Sequence, residues 1–166
     1  KATISPEATH EQIVEMLTNS PLPLELIVHG PLEAMVSDHC IASATLGQPH
    51  ECHALCHNQQ YALLDTAGER HPIMIDQYCR NHILLAKDLC LLPYLASLSG
   101  ITRYRIEGQH YTPLQVGLLT EMYRQELDKV ASQQKDYQFD SALIEKITTI
   151  GPRQLGIGAF RYRVSR

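Results

Sequence analysis

Glu25-Leu26-Ile27-Val28-His29-Gly30 is a short apolar run closed by glycine, the pattern of a strand buried on both faces. Upstream, Thr9 with Gln12 three residues on fits a capping box and opens a short helix over 10–17. Ile13, Val14, Met16 and Leu17 would cover one flank of that helix, and Asn19-Ser20-Pro21-Leu22-Pro23 stops it, because proline lacks the backbone donor. With residues 3–5 read as the end of an earlier strand, the order strand, helix, strand predicts a parallel sheet of the α/β class.

Downstream, no regular apolar period persists between Pro31 and Gln60. Tyr61-Ala62-Leu63-Leu64-Asp65 and His71-Pro72-Ile73-Met74-Ile75-Asp76 flank a turn that contains Gly68, which predicts a β-hairpin. Residues 84–98 are rich in leucine and read as helix, and residues 101–108 alternate as a strand does. Thr112-Pro113-Leu114-Gln115 carries a second capping box with proline at the first helical position. The helix it opens is expected to run to about Ser132, packing a stripe of Leu114, Leu118, Leu119, Met122, Tyr123, Leu127 and Val130 on a sheet. A short helix over 141–150 and a strand over 156–164 complete the reading, with no internal repeat.

At 166 residues and 44% apolar side chains the chain is long enough to fold without disulfide staples. Its net charge of −4 argues against gathering nucleic acid by overall field, so RNA could bind only through a local patch. Arg161 and Arg163 interleaved with Phe160 and Tyr162 are such a candidate, or equally an edge strand. No apolar run approaches the roughly 20 residues of a membrane span. The opening Lys1-Ala2-Thr3-Ile4-Ser5-Pro6 has neither an initiating methionine nor a secretory apolar stretch. It is expected to be an interior point of a longer, cytoplasmic parent chain.

The five cysteines are spaced Cys40-x11-Cys52-x3-Cys56-x22-Cys79-x10-Cys90, and soft thiolates suit both zinc and iron-sulfur clusters. Unligated thiols remain the other reading. Cys90, within Leu89-Cys90-Leu91-Leu92, reads as core. His39, His53 and His57 neighbour the cysteines and could replace a sulfur on zinc, or be solvated neighbours. His29 and Glu107 each end a predicted strand, the edge where α/β sites assemble. His29 could relay protons or be hydrogen-bonded for structure alone. Glu107 could orient a substrate hydroxyl or simply pair with Arg103 or Arg105. Neither a Gly-x-Ser-x-Gly elbow nor a His-Glu-x-x-His helix is present.

Several of these segments, taken in order, resemble the collagenase-like peptidases, the peptidase family of unknown catalytic type numbered 32. They are Glu25-Leu26-Ile27-Val28-His29-Gly30-Pro31-Leu32, then Cys40, Cys52-x3-Cys56, the Leu64-Asp65-x2-Gly68 hairpin, Leu85-Ala86-Lys87-Asp88-Leu89 and Arg105-Ile106-Glu107-Gly108. The resemblance covers about residues 3–130. It implies the last part of a parallel β/α barrel followed by a cysteine segment. For better-understood members it implies oxygen-independent or prephenate-dependent hydroxylation of ubiquinone precursors or RNA at four-cysteine [4Fe-4S] sites, beside an older protease assignment. Two departures stand out. Glu33 occupies the place of a cysteine found in many members, and Gln109 ends the Arg-Ile-Glu-Gly segment where the family has arginine. With glutamate in place of that cysteine, the order seen in a subset of relatives implies Cys79 as the fourth ligand.

The resulting expectation is an α/β fold, a partial (β/α) barrel fragment with a cysteine-rich insertion and β-hairpin. Residues 1–131 form the family-like segment, with the insertion at about 31–80, and 132–166 form a tail. The expected activity of the parent is iron-sulfur-dependent hydroxylation of RNA or a small aromatic quinone precursor. Proteolysis and a non-catalytic zinc-stabilised binding module are the alternatives. Cys40, Cys52, Cys56 and Cys79 are the candidate ligands of a [4Fe-4S] cluster, or of zinc, and His29 and Glu107 the candidate catalytic residues. The fragment alone is expected to be inactive and to meet a protein partner, or a second copy, through its incomplete barrel.

Overall fold

The computed structural model describes residues 1–47, 54, 56 and 59–161. The chain divides into two compact units, one formed by Lys1–Pro31 with Lys87–Arg166 and the other by Leu32–Ala86.

The first unit is built on β2 (Leu24–Gly30), whose residues are buried except for half-buried Ile27. Strand β1 (Ala2–Thr3) and helix α1 (His10–Asn19) precede it, and β1 lies parallel to the start of β2. Thr9 and Gln12 close the expected capping box on α1. On the other flank, β8 (Arg103–Ile106) runs parallel to β2, with a shift of register between Ile27 and His29. The sheet is mixed, because β7 (Asp88–Cys90) pairs antiparallel with the end of β2, at His29 and Gly30. β9 (Leu155–Gly156) lies parallel to β7. Among the described residues the strands form an open sheet of the expected α/β class.

Residues 84–98 do not form the expected helix. Leu84 ends a strand of the second unit, Asp88–Cys90 is β7, and Leu92–Leu98 is a 3-10 helix with proline in its first turn. Leu89, Cys90, Leu91, Leu92, Leu95 and Leu98 are all buried. A run buried on every side loses the periodicity that separates strand from helix. Residues 156–164 do not read as one strand either, since β9 ends at Gly156 and Gly158–Arg161 turns as a 3-10 helix. Residues 162–164 lie outside the described residues.

Helix α3 (Pro113–Gln133) starts at the expected Thr112/Gln115 box, but its buried stripe is Leu119, Tyr123 and Glu126. Leu114 and Leu118, expected in the core, are 73% and 42% exposed. The contact is narrower than the apolar residues suggested and includes a carboxylate. Glu126 is satisfied by Lys129 Nζ at 2.6 Å and the Tyr137 hydroxyl at 2.8 Å. Helix α4 (Ala142–Ile150) occupies the expected span and buries Ile147.

The second unit is an antiparallel sheet in the order β3 (Glu33–Ser37), β6 (Asn81–Leu84), β5 (Arg70–Ile75), β4 (Tyr61–Leu64). Strands β4 and β5 are the expected hairpin, whereas β3 and the short helix α2 (Ile41–Leu46) carried no period in the sequence. Across one face His82 Nδ1 meets Glu33 Oε1 at 2.5 Å and His82 Nε2 meets Asp76 Oδ2 at 3.3 Å. Arg80 also holds Asp76. The Glu33 and then the Asp76 hydrogen bonds raise the His82 pKa, because both imidazole nitrogens can donate only when the ring is charged. This contribution is complete below the unfolded-state pKa and is lost as pH rises through the raised folded value. The unit is therefore expected to unfold at lower urea at about pH 8 than at about pH 5, with salt reducing the difference. His82→Gln should flatten that dependence. An unchanged slope in the variant would remove His82 as its source.

Candidate functional site

Buried His29, Asp88 and Tyr111 of the first unit meet at the carboxyl end of β2. His29 is 1% exposed although it sits on an apolar strand. The Tyr123 hydroxyl, from α3, donates to the Val28 carbonyl at 2.9 Å and lies 3.3 Å from His29 Nδ1. With its hydrogen so committed, Tyr123 accepts from Nδ1–H and leaves the lone pair of a neutral imidazole on Nε2. Tyr111 brings its hydroxyl to 3.4 Å from Nε2 while donating to Asp88 Oδ2. Arg153 donates to the other oxygen, Asp88 Oδ1. Burial drives the His29 pKa down to about 4 against the opposing charge of Asp88. Burial likewise raises the phenols of Tyr111 and Tyr123.

Cys90 completes this network. It pairs with His29 across β2 and β7, and its sulfur lies 3.7 Å from the Tyr123 hydroxyl oxygen. Its side chain is buried, as the sequence indicated, and desolvation pushes its thiol pKa up. A thiol held protonated is a poor nucleophile. Glu107 follows β8 directly: its N–H donates to the His29 carbonyl at 2.9 Å, and its carboxylate meets Arg105 Nη2 at 2.6 Å. The salt-bridge partner named for it from sequence is thus present. The arrangement links a neutral His29 to the Asp88 carboxylate through the Tyr111 hydroxyl.

The thiol candidates lie in the second unit. Cys40, Cys56 and Cys79 are free, the first two half-buried and the third exposed. Cys52 lies outside the described residues, as do His53 and His57. Cys40 caps α2, its sulfur accepting the Ser43 N–H at 3.4 Å. Buried Asn81 donates from Nδ2 to the carbonyls of His39 at 2.7 Å and Cys79 at 3.5 Å. Its Oδ1 is buried without a partner among the described residues. This shared amide and its orphaned acceptor fit a centre that draws on both cysteines. A tetrahedral zinc with Zn–S of about 2.3 Å would hold its sulfurs within about 4 Å of each other. Among the described residues the trio whose ligand atoms approach within 4.8 Å is instead Asp65, Glu69 and His71. The first two belong to the hairpin turn, where Asp65 Oδ1 accepts the N–H groups of Ala67 and Glu69.

Asp88, Tyr111 and Arg153 escaped the sequence reading as site residues. Asp88 stood within a quoted motif and Tyr111 beside a cap, but only the meeting of β7, β8 and the segment before β9 puts them together.

A mixed α/β unit with a buried His-Tyr-Asp network, joined in one chain to a cysteine-bearing antiparallel unit, defines the class. The family model for Peptidase family U32 matches residues 1–164, and the chain belongs to that family. The match continues past Val130, where the resemblance in the sequence stopped. No curated protein and no solved structure matches the chain. Among the described residues no helix is long and apolar enough to cross a membrane.

Proposed function

We propose that the chain is the cysteine-bearing part of an iron-sulfur-dependent enzyme that hydroxylates RNA or a small aromatic quinone precursor in the cytoplasm. The observation that carries this reading is the placement of Cys40, Cys56 and Cys79 as free thiols in one compact unit, with the backbones around Cys40 and Cys79 bound to one buried amide. Cys40, Cys52, Cys56 and Cys79 would hold the cluster, which supplies one-electron chemistry when bound. His29, kept neutral, offers Nε2 as a proton acceptor, with Tyr111 and Asp88 behind it. Glu107, steadied by Arg105, would orient a substrate hydroxyl. Thiol proteolysis is less well supported, because Cys90, which pairs with His29 across the strands, is buried and held protonated.

Anaerobic purification followed by iron, sulfide and zinc analysis tests the proposal. Stoichiometric iron and sulfide are expected, falling to background in Cys40→Ser and persisting in Cys90→Ser. Zinc alone would redirect the reading to a binding module, and metal-free protein with thiol-dependent peptide cleavage to a peptidase. Loss of iron in Cys90→Ser with retention in Cys79→Ser would transfer the fourth ligand to Cys90.

A further inference from the structure

We propose that Asn81 is a positioning residue that presets Cys40 and Cys79 as a thiolate pair for a soft metal, an inference that rests on the ligand role given to these thiols above. Asn81 stands at the start of β6 and is fully buried. Its Nδ2 lies 3.2 Å from the carbonyl of Ser37, 2.7 Å from that of His39 and 3.5 Å from that of Cys79. His39 immediately precedes Cys40, so one amide nitrogen ties together the two segments that carry these thiols. The other end of the same amide, Oδ1, is a buried acceptor without a partner among the described residues. A buried acceptor left unpaired is costly, and this one lies on the residue that joins the two segments.

The backbone of Cys79 gives an independent reason to assign its thiol a task. Its φ is +62°, in the left-handed region that favours glycine or asparagine. The turn around it is over-determined. The Cys79 N–H donates to the Asp76 carbonyl at 3.0 Å, and Asp76 Oδ1 accepts the N–H groups of Tyr78 at 2.8 Å and Arg80 at 2.9 Å. Glycine would make the same turn with less strain. What cysteine adds at this position is a sulfur, on a residue that is exposed and free of a disulfide. Strain kept at an otherwise regular turn points to function, and the shared amide names Cys40 as the partner. Presetting two ligands lowers the ordering cost of binding a metal.

The test uses the metal-free full chain, cadmium ion as the probe, and iodoacetamide alkylation read by peptide mass mapping. Cadmium is expected to slow alkylation of Cys40 and Cys79 together, at least tenfold. Asn81→Ala should weaken cadmium binding at least tenfold and uncouple the protection of the two thiols. Cys79→Gly should raise the melting temperature and lower cadmium affinity, and with the wild-type protection pattern it decides the matter even if Asn81→Ala does not fold. If cadmium protects Cys40, Cys52 and Cys56 while Cys79 reacts at its metal-free rate, the pairing is overturned and the iron-sulfur reading survives on the other thiols. If folded Asn81→Ala melts lower but keeps joint protection, Asn81 is structural only and the proposal fails. If cadmium protects no thiol, both this proposal and the iron-sulfur reading fall.

Discussion

Gly30→Ala is expected to destabilise the first unit by about 3 kcal/mol or more, combining about 1–3 kcal/mol of backbone strain with a similar steric term. Gly30 has a φ of +110°, and a β-carbon there would collide with the Glu107 carbonyl. The collision falls where β2 and β8 draw together, next to the hydrogen bond from Glu107 N–H to the His29 carbonyl. Alanine must therefore push β8 off β2 and disturb both candidate residues. A loss of this size corresponds to a fall in melting temperature of about 10 °C. Gly68→Ala provides the comparison. It shares a positive φ, +79°, but its β-carbon would meet nothing within 4 Å, so it should cost only about 1 kcal/mol. Equal effects at the two glycines would mean that the approach of Glu107 to Gly30 is not what constrains the site.

Asp88→Ala should cost about 3–5 kcal/mol, the usual penalty for removing one partner of a buried ion pair. Asp88 is 1% exposed, and its loss strips Arg153 and Tyr111 of the carboxylate to which both donate. Asp88→Asn keeps an acceptor for one of them and should fall between alanine and wild type. The same substitutions act on His29. The Asp88 charge raises the His29 pKa while burial lowers it, so removing that charge should send the value below about 4, measurable by imidazole NMR. In the intact protein the unfolded state takes up a proton near pH 6.5 and the folded His29 only near 4. The unfolded chain binds more protons between those values, so stability falls as pH drops across that window. An Asp88→Ala chain that melts within a degree or two of wild type would show that the network contributes nothing to the fold.

Local signals in the sequence suffice where a single segment supplies the whole cause. The Thr9/Gln12 and Thr112/Gln115 boxes close within four residues, the β4–β5 hairpin turns around its own glycine, and the apolar run of β2 is buried. His29 and Glu107 could be named because strand ends are visible in a pattern. Those signals fail where burial removes the pattern, as in residues 84–98. They fail also where an element borrows its reason to exist from a neighbour, as β3 does from β6. Helix α3 shows the same limit: its leucines can be counted, but only the elements packed around it could select Leu119, Tyr123 and Glu126 over Leu114 and Leu118.

By itself, the sequence determined the α/β class, the family, the two helix starts, the hairpin and the residue types available for chemistry, because each depends on side chains close together along the chain. Only the tertiary structure decided that Asp88, Tyr111 and Arg153 join His29, that the Cys90 thiol lies beside Tyr123 with its pKa raised, and that Asn81 ties His39 to Cys79. Hydrogen bonds reach about 3 Å through space whatever the separation along the chain. Partners such as His29 and Tyr123 leave no mark on the residues between them, and strand pairing and helix docking alone bring them together.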